Sequence, residues 1–220
     1  DDHEGIMILP DSSKVGNSLK DTLLLTSDSI FDFDLTPNRG DCFSHLGVAR
    51  EIAILENKKI TIPKRNFTES SPSVDKKINI DIIDKEACPR YACRIIKNVV
   101  VKESPKWLKD RLESIGQKSI NNIVDASNYV LFDQGHPMHT FDLNKINGST
   151  IIVKKSDGKE KILCLDGIER TTDKDHLLIY DKNKPIAIAG IIGSENSCVD
   201  DTTTDILIES AYFDPVTIRR

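Results

Sequence analysis

The stretch DQGHPMHTFD, residues 133–142, places two histidines three residues apart between two aspartates. Imidazole and carboxylate groups ligate metal ions, so His136 and His139 form a candidate metal site. Helical zinc sites, however, favour histidines four residues apart with a glutamate between them, and Pro137 disfavours a regular helix through both histidines. The pattern therefore favours a turn at Gly135 and Pro137, with a solvated His136 and a partly buried, hydrogen-bonded His139, over a metal site.

Two further stretches contain residue types that bind ligands. Gly190 and Gly193 lie in AGIIGSE after a predicted strand, where exposed backbone amides can hold an anion. The stretch lacks the third glycine of a dinucleotide fingerprint and the lysine of a phosphate loop, so a tight turn explains it equally well. Glu209, in LIESAYF, has apolar neighbours, and a carboxylate there requires a partner. A structural salt bridge and a recognition acid are the two interpretations of Glu209.

The composition excludes several classes of protein. A net charge of −5 over 220 residues argues against nonspecific coating of nucleic acid, although it leaves specific RNA binding open. The five cysteines are scattered and form no CxxC pair, which fits reduced thiols better than a disulfide framework. No apolar run approaches the roughly 20 residues of a membrane helix, and the N-terminus has no signal-peptide pattern. We therefore expect a cytoplasmic protein with no membrane partner.

Hydrophobic periodicity predicts the elements that position these side chains. From residue 78 onward, two short strands precede a helix with Ser104 as N-cap, Pro105 as first residue and Gly116 as left-handed end. A second helix over residues 120–132 leads directly into the histidine stretch. The β-like runs that follow are IIVKK, KILCL, LLIYD, PIAIAGIIG and DILIESAYF. This order predicts an α+β fold, with helices early and an antiparallel, β-rich region after them.

The first third of the chain predicts a small appendage. Alternating apolar residues predict a strand over residues 31–35, followed by a turn and by a helix that begins after Ser44 and ends before Asn57. Residues 58–77 are rich in Lys, Pro, Ser and Thr and lack sustained periodicity, so we expect a linker there. Because the chain begins with Asp1 rather than Met and ends abruptly, we expect it to be a piece of a longer protein.

Several stretches resemble one family of proteins. A hallmark stretch of the bacterial phenylalanyl-tRNA synthetase β subunit is similar to DLTPNRGDCFSHLGVAREIA. Successive segments of that family's editing domain are similar to CPRYACRII, INNIVDASNYVLFDQGHPMHTFDL, AIAGIIGSENS and ILIESAYFDPVTIRR. The resemblance implies three parts. Residues 1–26 follow the family's tRNA-binding oligonucleotide-fold domain, residues 27–77 are a strand-turn-helix segment with a linker, and residues 78–220 are an editing domain truncated at its C-terminus.

The function that the resemblance implies is hydrolysis of misacylated tRNA. Tyrosine wrongly attached to phenylalanine tRNA is released by attack of water on the aminoacyl ester, and the residue matching Glu209 contacts the phenolic hydroxyl. The alternatives are a structural and tRNA-binding module with an inactive editing site, and an unrelated small-molecule-binding domain. The implied site consists of His139 and Asn128 as catalytic groups, and of Ser127, Gly190, Gly193 and Glu209 as substrate-binding groups, with no metal ion.

The resemblance also implies partners and cofactors. In the family, the β subunit binds phenylalanine tRNA and assembles with an α subunit into an α2β2 heterotetramer. The aminoacylation site belongs to the α subunit and uses ATP and magnesium, whereas editing needs no cofactor. Two residues depart from the family pattern, because Ser194 replaces a usual glycine and His136 replaces a common glutamine. Either departure can narrow the pocket.

Overall fold

The computed structural model describes residues 6–23, 28–64 and 66–219. The chain forms two compact units, Asp1–Asp34 and Leu35–Arg220. In the first unit, helix α1 spans Leu19–Thr22, and the side chain of Ser18 caps it by accepting a hydrogen bond from the amide of Asp21. The predicted boundary between residues 26 and 27 lies outside the described residues.

The strand predicted over residues 31–35 is wrong, because residues 28–36 contain no helix or strand. Phe31 and Phe33 are 75% and 54% exposed, and their rings stack with centroids 6.2 Å apart. Alternating apolar residues form a strand only where a neighbouring strand completes the hydrogen-bond ladder. None of the described strands pairs with this segment.

The helix predicted after Ser44 is confirmed. Helix α2 spans His45–Leu55, and Ser44 Oγ accepts a hydrogen bond of 3.0 Å from the amide of Gly47. A glycine is required at position 47, since a Cβ there would lie 1.7 Å from the carbonyl oxygen of Asp41. Residues 58–64 and 66–73 contain no helix or strand.

Helix α3, Lys106–Ser114, begins differently from the prediction. Pro105 occupies the N-cap position, so the predicted cap at Ser104 is wrong. The hydroxyl of Ser104 instead donates a hydrogen bond of 2.5 Å to the carboxylate of Asp125, which is completely buried. A buried carboxylate must be paired, and this need outweighs capping. Gly116 follows the last turn with φ +79°, as predicted.

Helix α4, Asn122–Gln134, begins two residues later than predicted. The side chain of Asn121 accepts hydrogen bonds from the amides of Ile123 and Val124 and thereby sets the start of the helix. The helix ends at Gly135, whose φ of +81° lies in the left-handed region that glycine tolerates. The predicted turn at Gly135 is confirmed, and it directs the chain toward the histidine stretch.

Ten strands form three sheets in the described part of the chain. The five-stranded sheet has the order β1-β4-β7-β8-β9, the three-stranded sheet has the order β2-β10-β3, and β5 pairs with β6. Strands β1 and β4 are parallel, whereas the other neighbouring strands are antiparallel. The strands are β1 Asn79–Ile82, β2 Arg90–Lys97, β3 His139–Asp142, β4 Thr150–Lys155, β5 Lys161–Leu163, β6 Glu169–Thr171, β7 Leu177–Tyr180, β8 Pro185–Ile188, β9 Ile192–Gly193 and β10 Asp205–Tyr212.

The main core combines apolar side chains from both larger sheets. Phe141 and Leu207 of the three-stranded sheet cluster with Ile151, Val153 and Ile186 of the five-stranded sheet, and all five are fully buried. Burying each such side chain contributes about 1.5–3 kcal/mol, so this cluster fixes how the two sheets face each other. The short helix α5, Pro215–Arg219, follows β10. The predicted α+β fold is confirmed. Among the described helices, none is long and apolar enough to cross a membrane.

Candidate active site

Strand β10 brings a carboxyl group and an imidazole together. It lies between β2 and β3 and pairs antiparallel with both. In this register Glu209 of β10 is opposite His139 of β3 and opposite Cys93 of β2. Residues that are directly opposite in a ladder project from the same face of the sheet. Glu209 and His139, which are far apart in sequence, are therefore neighbours in space.

A cavity of about 180 Å³ lies beside this pair. Its walls come from β3 and β10, from β7 and β8, and from the turn that joins β8 to β9. Most of the lining is aliphatic or aromatic, and Ala211 and Phe213 lie on it next to Glu209. Four of the six predicted site residues line this cavity, namely His139, Gly190, Gly193 and Glu209.

The carboxyl group of Glu209 is buried, with 6% of the residue exposed. Its Oε2 accepts a hydrogen bond of 2.9 Å from the hydroxyl of Tyr91 on the neighbouring strand β2. Burial raises the pKa of Glu209 to about 7, and the hydrogen bond from Tyr91 opposes this rise. The structural salt bridge proposed for Glu209 is wrong, because a phenol provides its partner among the described residues. Glu209 thus changes charge near neutral pH, in contact with an apolar cavity.

The imidazole of His139 is neutral at neutral pH. Burial penalises the charged ring and lowers its pKa to about 4. Its ring meets Phe141 edge to face, with centroids 4.5 Å apart. The Nε2 atom is buried and has no hydrogen-bond partner within the described residues, so the hydrogen bond predicted for His139 is wrong. An unpaired buried nitrogen is costly in a folded protein and is typical of functional sites.

Gly193 and Gly190 are both required to be small, for different reasons. A Cβ on Gly193 would lie 2.5 Å from Cε1 and 2.6 Å from Nε2 of His139, so the imidazole rests against bare backbone. Gly190 has a φ of +68°, and a Cβ there would also press on Phe213 at 3.2 Å and on Ile218 at 3.3 Å. The backbone of AGIIGSE forms the tight turn that was one interpretation of this stretch, and the same turn forms a wall of the cavity.

The remaining two predicted residues lie on helix α4, which packs against β3. Ser127 is buried, and its hydroxyl donates a hydrogen bond of 2.7 Å to the carbonyl oxygen of Val124. Asn128 is half-buried. Neither residue is among those that line the cavity, so the structure places them on the element next to His139 rather than on the cavity wall.

The two residues that depart from the family pattern lie outside the cavity lining. Ser194 is buried, but its hydroxyl accepts a hydrogen bond of 3.3 Å from the amide of Asn196 rather than lining the cavity. His136 is exposed, as predicted, and also lies outside the lining. The expectation that either residue narrows the pocket is therefore wrong.

Sequence reasoning missed Tyr91, Ala211 and Phe213. Tyr91 lies in the quoted stretch CPRYACRII, but its role depends on the register between β2 and β10. Alternation along β10 does place Ala211 on the same face as Glu209, which is a signal that the sequence contains. Phe213 lies just beyond the end of β10, where alternation no longer predicts direction.

In the part of the chain that the structure describes, a candidate group of metal-ligating side chains lies away from His136 and His139. The ligand atoms of Asp41, Cys42 and Glu51 converge within 4.8 Å of one another. Arg39 Nη2 already lies 2.8 Å from the Asp41 carboxylate and 2.7 Å from that of Glu51. This guanidinium neutralises the cluster, and we assign it no metal ion.

These features define a class of protein: an α+β domain with a small, open, mainly apolar cavity that contains one buried carboxyl group and one neutral imidazole. A family model described as the B3/4 domain matches residues 87–220, which is more than half of the chain. The chain belongs to the B3/4 domain family.

Curated relatives extend the match to the segment before this domain. The chain is 45% identical over 217 residues to the phenylalanine–tRNA ligase beta subunit of Fusobacterium nucleatum, and 49% identical over 217 residues to that of Geobacter sulfurreducens. Both matches cover 99% of this chain and 27% of the relative, so the chain spans about a quarter of the length of these proteins. The resemblance that the motifs indicate is confirmed.

Solved structures are also similar to this chain. One of them is an N-terminal fragment of the phenylalanyl-tRNA synthetase beta-subunit from Pyrococcus horikoshii, at 18% identity and a TM-score of 0.47. The match covers 82% of this chain and 54% of that one.

Proposed function

We propose that this cavity hydrolyses the ester between tyrosine and phenylalanine tRNA. The observation that carries the proposal is the pairing of Glu209 with His139 at the wall of one small cavity. A carboxyl group there can recognise a phenol, and an imidazole can serve the ester chemistry. The motifs that resemble the editing domain of phenylalanyl-tRNA synthetase support the same reaction.

The size and lining of the cavity suit one aromatic side chain. Apolar protein cavities of about 150 Å³ bind benzene, so about 180 Å³ accommodates a single ring. The wall is mainly apolar, and Glu209 provides the polar group that selects among rings. A hydrophobic pocket discriminates against one extra hydroxyl by only about 10², whereas a site that hydrogen-bonds a hydroxyl discriminates by roughly 10⁴ to 10⁵. This difference explains why a second, phenol-binding site is useful to a phenylalanine-specific enzyme.

The hydrolysis needs water held beside the ester carbonyl. Water attacks the carbonyl carbon, the bond to the ribose oxygen breaks, and this oxygen leaves with a proton that originates from the water. Neutral His139 lines the cavity, so its imidazole can help to position the water. Asn128 and Ser127 lie on α4 outside the cavity wall, and the family resemblance alone supports our assignment of Asn128 to polarise the carbonyl and of Ser127 to contact the amino acid. Several groups, including a ribose hydroxyl of the tRNA, can share the positioning of water, so His139 is not required as a general base.

The relatives support a proposal about the larger assembly. We propose that the chain is part of a phenylalanyl-tRNA synthetase β subunit, in the cytoplasm, which pairs with α subunits as α2β2 and binds phenylalanine tRNA. Residues 78–220 form the editing domain, preceded by the segments 1–26 and 27–77. ATP and magnesium then serve aminoacylation on the α subunit, and editing uses neither of them. The membrane is not a partner.

Deacylation of tyrosyl-tRNA tests the proposal. The full-length β subunit in its assembly is mixed with phenylalanine tRNA that carries labelled tyrosine, and release of the label is followed. We expect hydrolysis well above buffer for the wild type and a strong loss in His139→Ala and Glu209→Ala. Absence of wild-type hydrolysis would favour the structural and tRNA-binding alternative. Wild-type rates and selectivity in both variants would instead overturn the residue assignment.

A further inference from the structure

We propose that Tyr91 is a positioning residue that holds one oxygen of Glu209, so that the other oxygen is left to receive the hydroxyl of the bound amino acid. This inference rests on the proposed function and extends it to a residue outside the cavity. It assigns the selectivity for a phenol to a pair of residues rather than to Glu209 alone.

The register of β2 and β10 places the pair. Tyr91 is opposite Ala211, which lies two residues beyond Glu209 on the same face of β10. The Tyr91 hydroxyl donates to Oε2 of Glu209 at 2.9 Å. Tyr91 is only 8% exposed, packs in the main core and does not line the cavity. The phenol of the protein therefore approaches the carboxyl group from the core side, whereas a ligand approaches it from the cavity.

The consequence for a ligand follows from counting hydrogen bonds. Oε1 of Glu209 accepts no hydrogen bond from the described residues, while Oε2 is held by Tyr91. A hydroxyl on the bound ring completes a second hydrogen bond to the same carboxylate. A ring without a hydroxyl covers Oε1 and leaves it unpaired, which is costly in a mainly apolar site. Tyr91 fixes the rotation of the carboxyl group, and this fixed geometry makes the second position specific.

The charge of Glu209 depends on few neighbours. The titratable groups that face it are Tyr91 and Cys93 on β2, His139 on β3 and Cys88 just before β2. Burial raises the pKa of Cys88 to about 11 and also raises the pKa of Cys93 and Tyr91, while that of His139 is lowered to about 4. All four are uncharged near neutral pH. Removing the Tyr91 hydroxyl therefore raises the pKa of Glu209, because its hydrogen bond favours the carboxylate.

The experiment compares Tyr91→Phe with a matched control in the full-length β subunit and its assembly. Tyr180 is the control, since its hydroxyl donates to Glu160 at 2.6 Å and that pair lies outside the cavity. Hydrolysis of tyrosyl- and phenylalanyl-tRNA is measured across a pH range that brackets the pKa of Glu209. The ratio of kcat/KM for the two substrates reports selectivity, and thermal unfolding reports folding.

Tyr91→Phe is expected to lower this ratio about 10-fold, the loss of one hydrogen bond to a charged group. The pH at which selectivity is half-maximal should also move upward. Tyr180→Phe should change neither quantity. Replacing Tyr91 by p-aminophenylalanine restores a hydrogen-bond donor, so the selectivity ratio and the pH midpoint should return toward their wild-type values. A purely structural role of Tyr91 would not produce this rescue. If the wild type hydrolyses tyrosyl-tRNA and Tyr91→Phe has the same selectivity ratio and the same pH midpoint, the inference about Tyr91 is overturned. The proposed function then still stands. No wild-type hydrolysis overturns the proposed function and the inference with it.

Discussion

Replacing Gly193 by alanine is the sharpest perturbation of the site. The new Cβ would lie 2.5 Å from Cε1 and 2.6 Å from Nε2 of His139, and 3.0 Å from Cδ1 of Leu165. Carbon atoms pack at about 3.5–4.0 Å, so the imidazole must move by about 1 Å. A displacement of about 1 Å in a positioned group costs about 100-fold in rate. We therefore expect tyrosyl-tRNA hydrolysis by Gly193→Ala to fall about 100-fold, with overpacking that destabilises the fold by about 1–3 kcal/mol.

The assay is single-turnover release of labelled tyrosine, with thermal unfolding measured in parallel. Gly40→Ala is the matched control, because a Cβ there meets nothing within 4 Å and its backbone is not in the left-handed region. The effects of the Gly193 and His139 substitutions should also be non-additive. In a His139→Ala background, Gly193→Ala should add little further loss, since the displaced ring is gone. A folded Gly193→Ala enzyme with wild-type activity, alongside an impaired His139→Ala enzyme, would refute the proposed contact.

The other predictions concern stability and are measured by urea denaturation. Burial raises the pKa of Glu209 from 4.5 to about 7, so wild type loses stability relative to Glu209→Gln as pH rises across this window, by about 3 kcal/mol. A difference that is independent of pH would contradict this. Burial lowers the pKa of His139 from 6.5 to about 4, so wild type loses stability relative to His139→Leu as pH falls from 6.5 to 4, also by about 3 kcal/mol. An equal slope in both proteins would count against a buried neutral ring. Ser104→Ala removes a donor from the buried Asp125 and should cost about 1–3 kcal/mol, whereas Ser114→Ala should cost less than about 0.5 kcal/mol. Equal costs would show that the bond to Asp125 is unimportant.

Local signals predicted much of the fold. Ser44 and Gly116 are correctly placed at helix ends because capping depends on a few adjacent residues. Ser104 is also a typical N-cap residue, but its hydroxyl donates a hydrogen bond to the buried Asp125 instead. That partner is 21 positions away in the sequence. Apolar and polar residues alternate over residues 31–35 as in a strand, but no strand forms there. Strand pairing depends on distant segments that local alternation does not specify.

The candidate site was only partly predictable for the same reason. Glutamate and histidine are common in functional sites, and the family resemblance assigns both Glu209 and His139 to the site. Their pairing, however, depends on the register of β10 with β3, and the role of Tyr91 depends on its register with β2. The unpaired Nε2 of His139 and its contact with Gly193 appear only once three separate segments are assembled.

Selectivity for the phenol tests the central claim most directly. The measurement is the ratio of kcat/KM for tyrosyl-tRNA over phenylalanyl-tRNA, in the wild-type β subunit assembly and in Glu209→Ala. A site that hydrogen-bonds the hydroxyl through Glu209 predicts a wild-type ratio of roughly 10⁴, which falls toward one in the variant. A wild-type ratio near one, or a high ratio that Glu209→Ala leaves unchanged, would contradict the account.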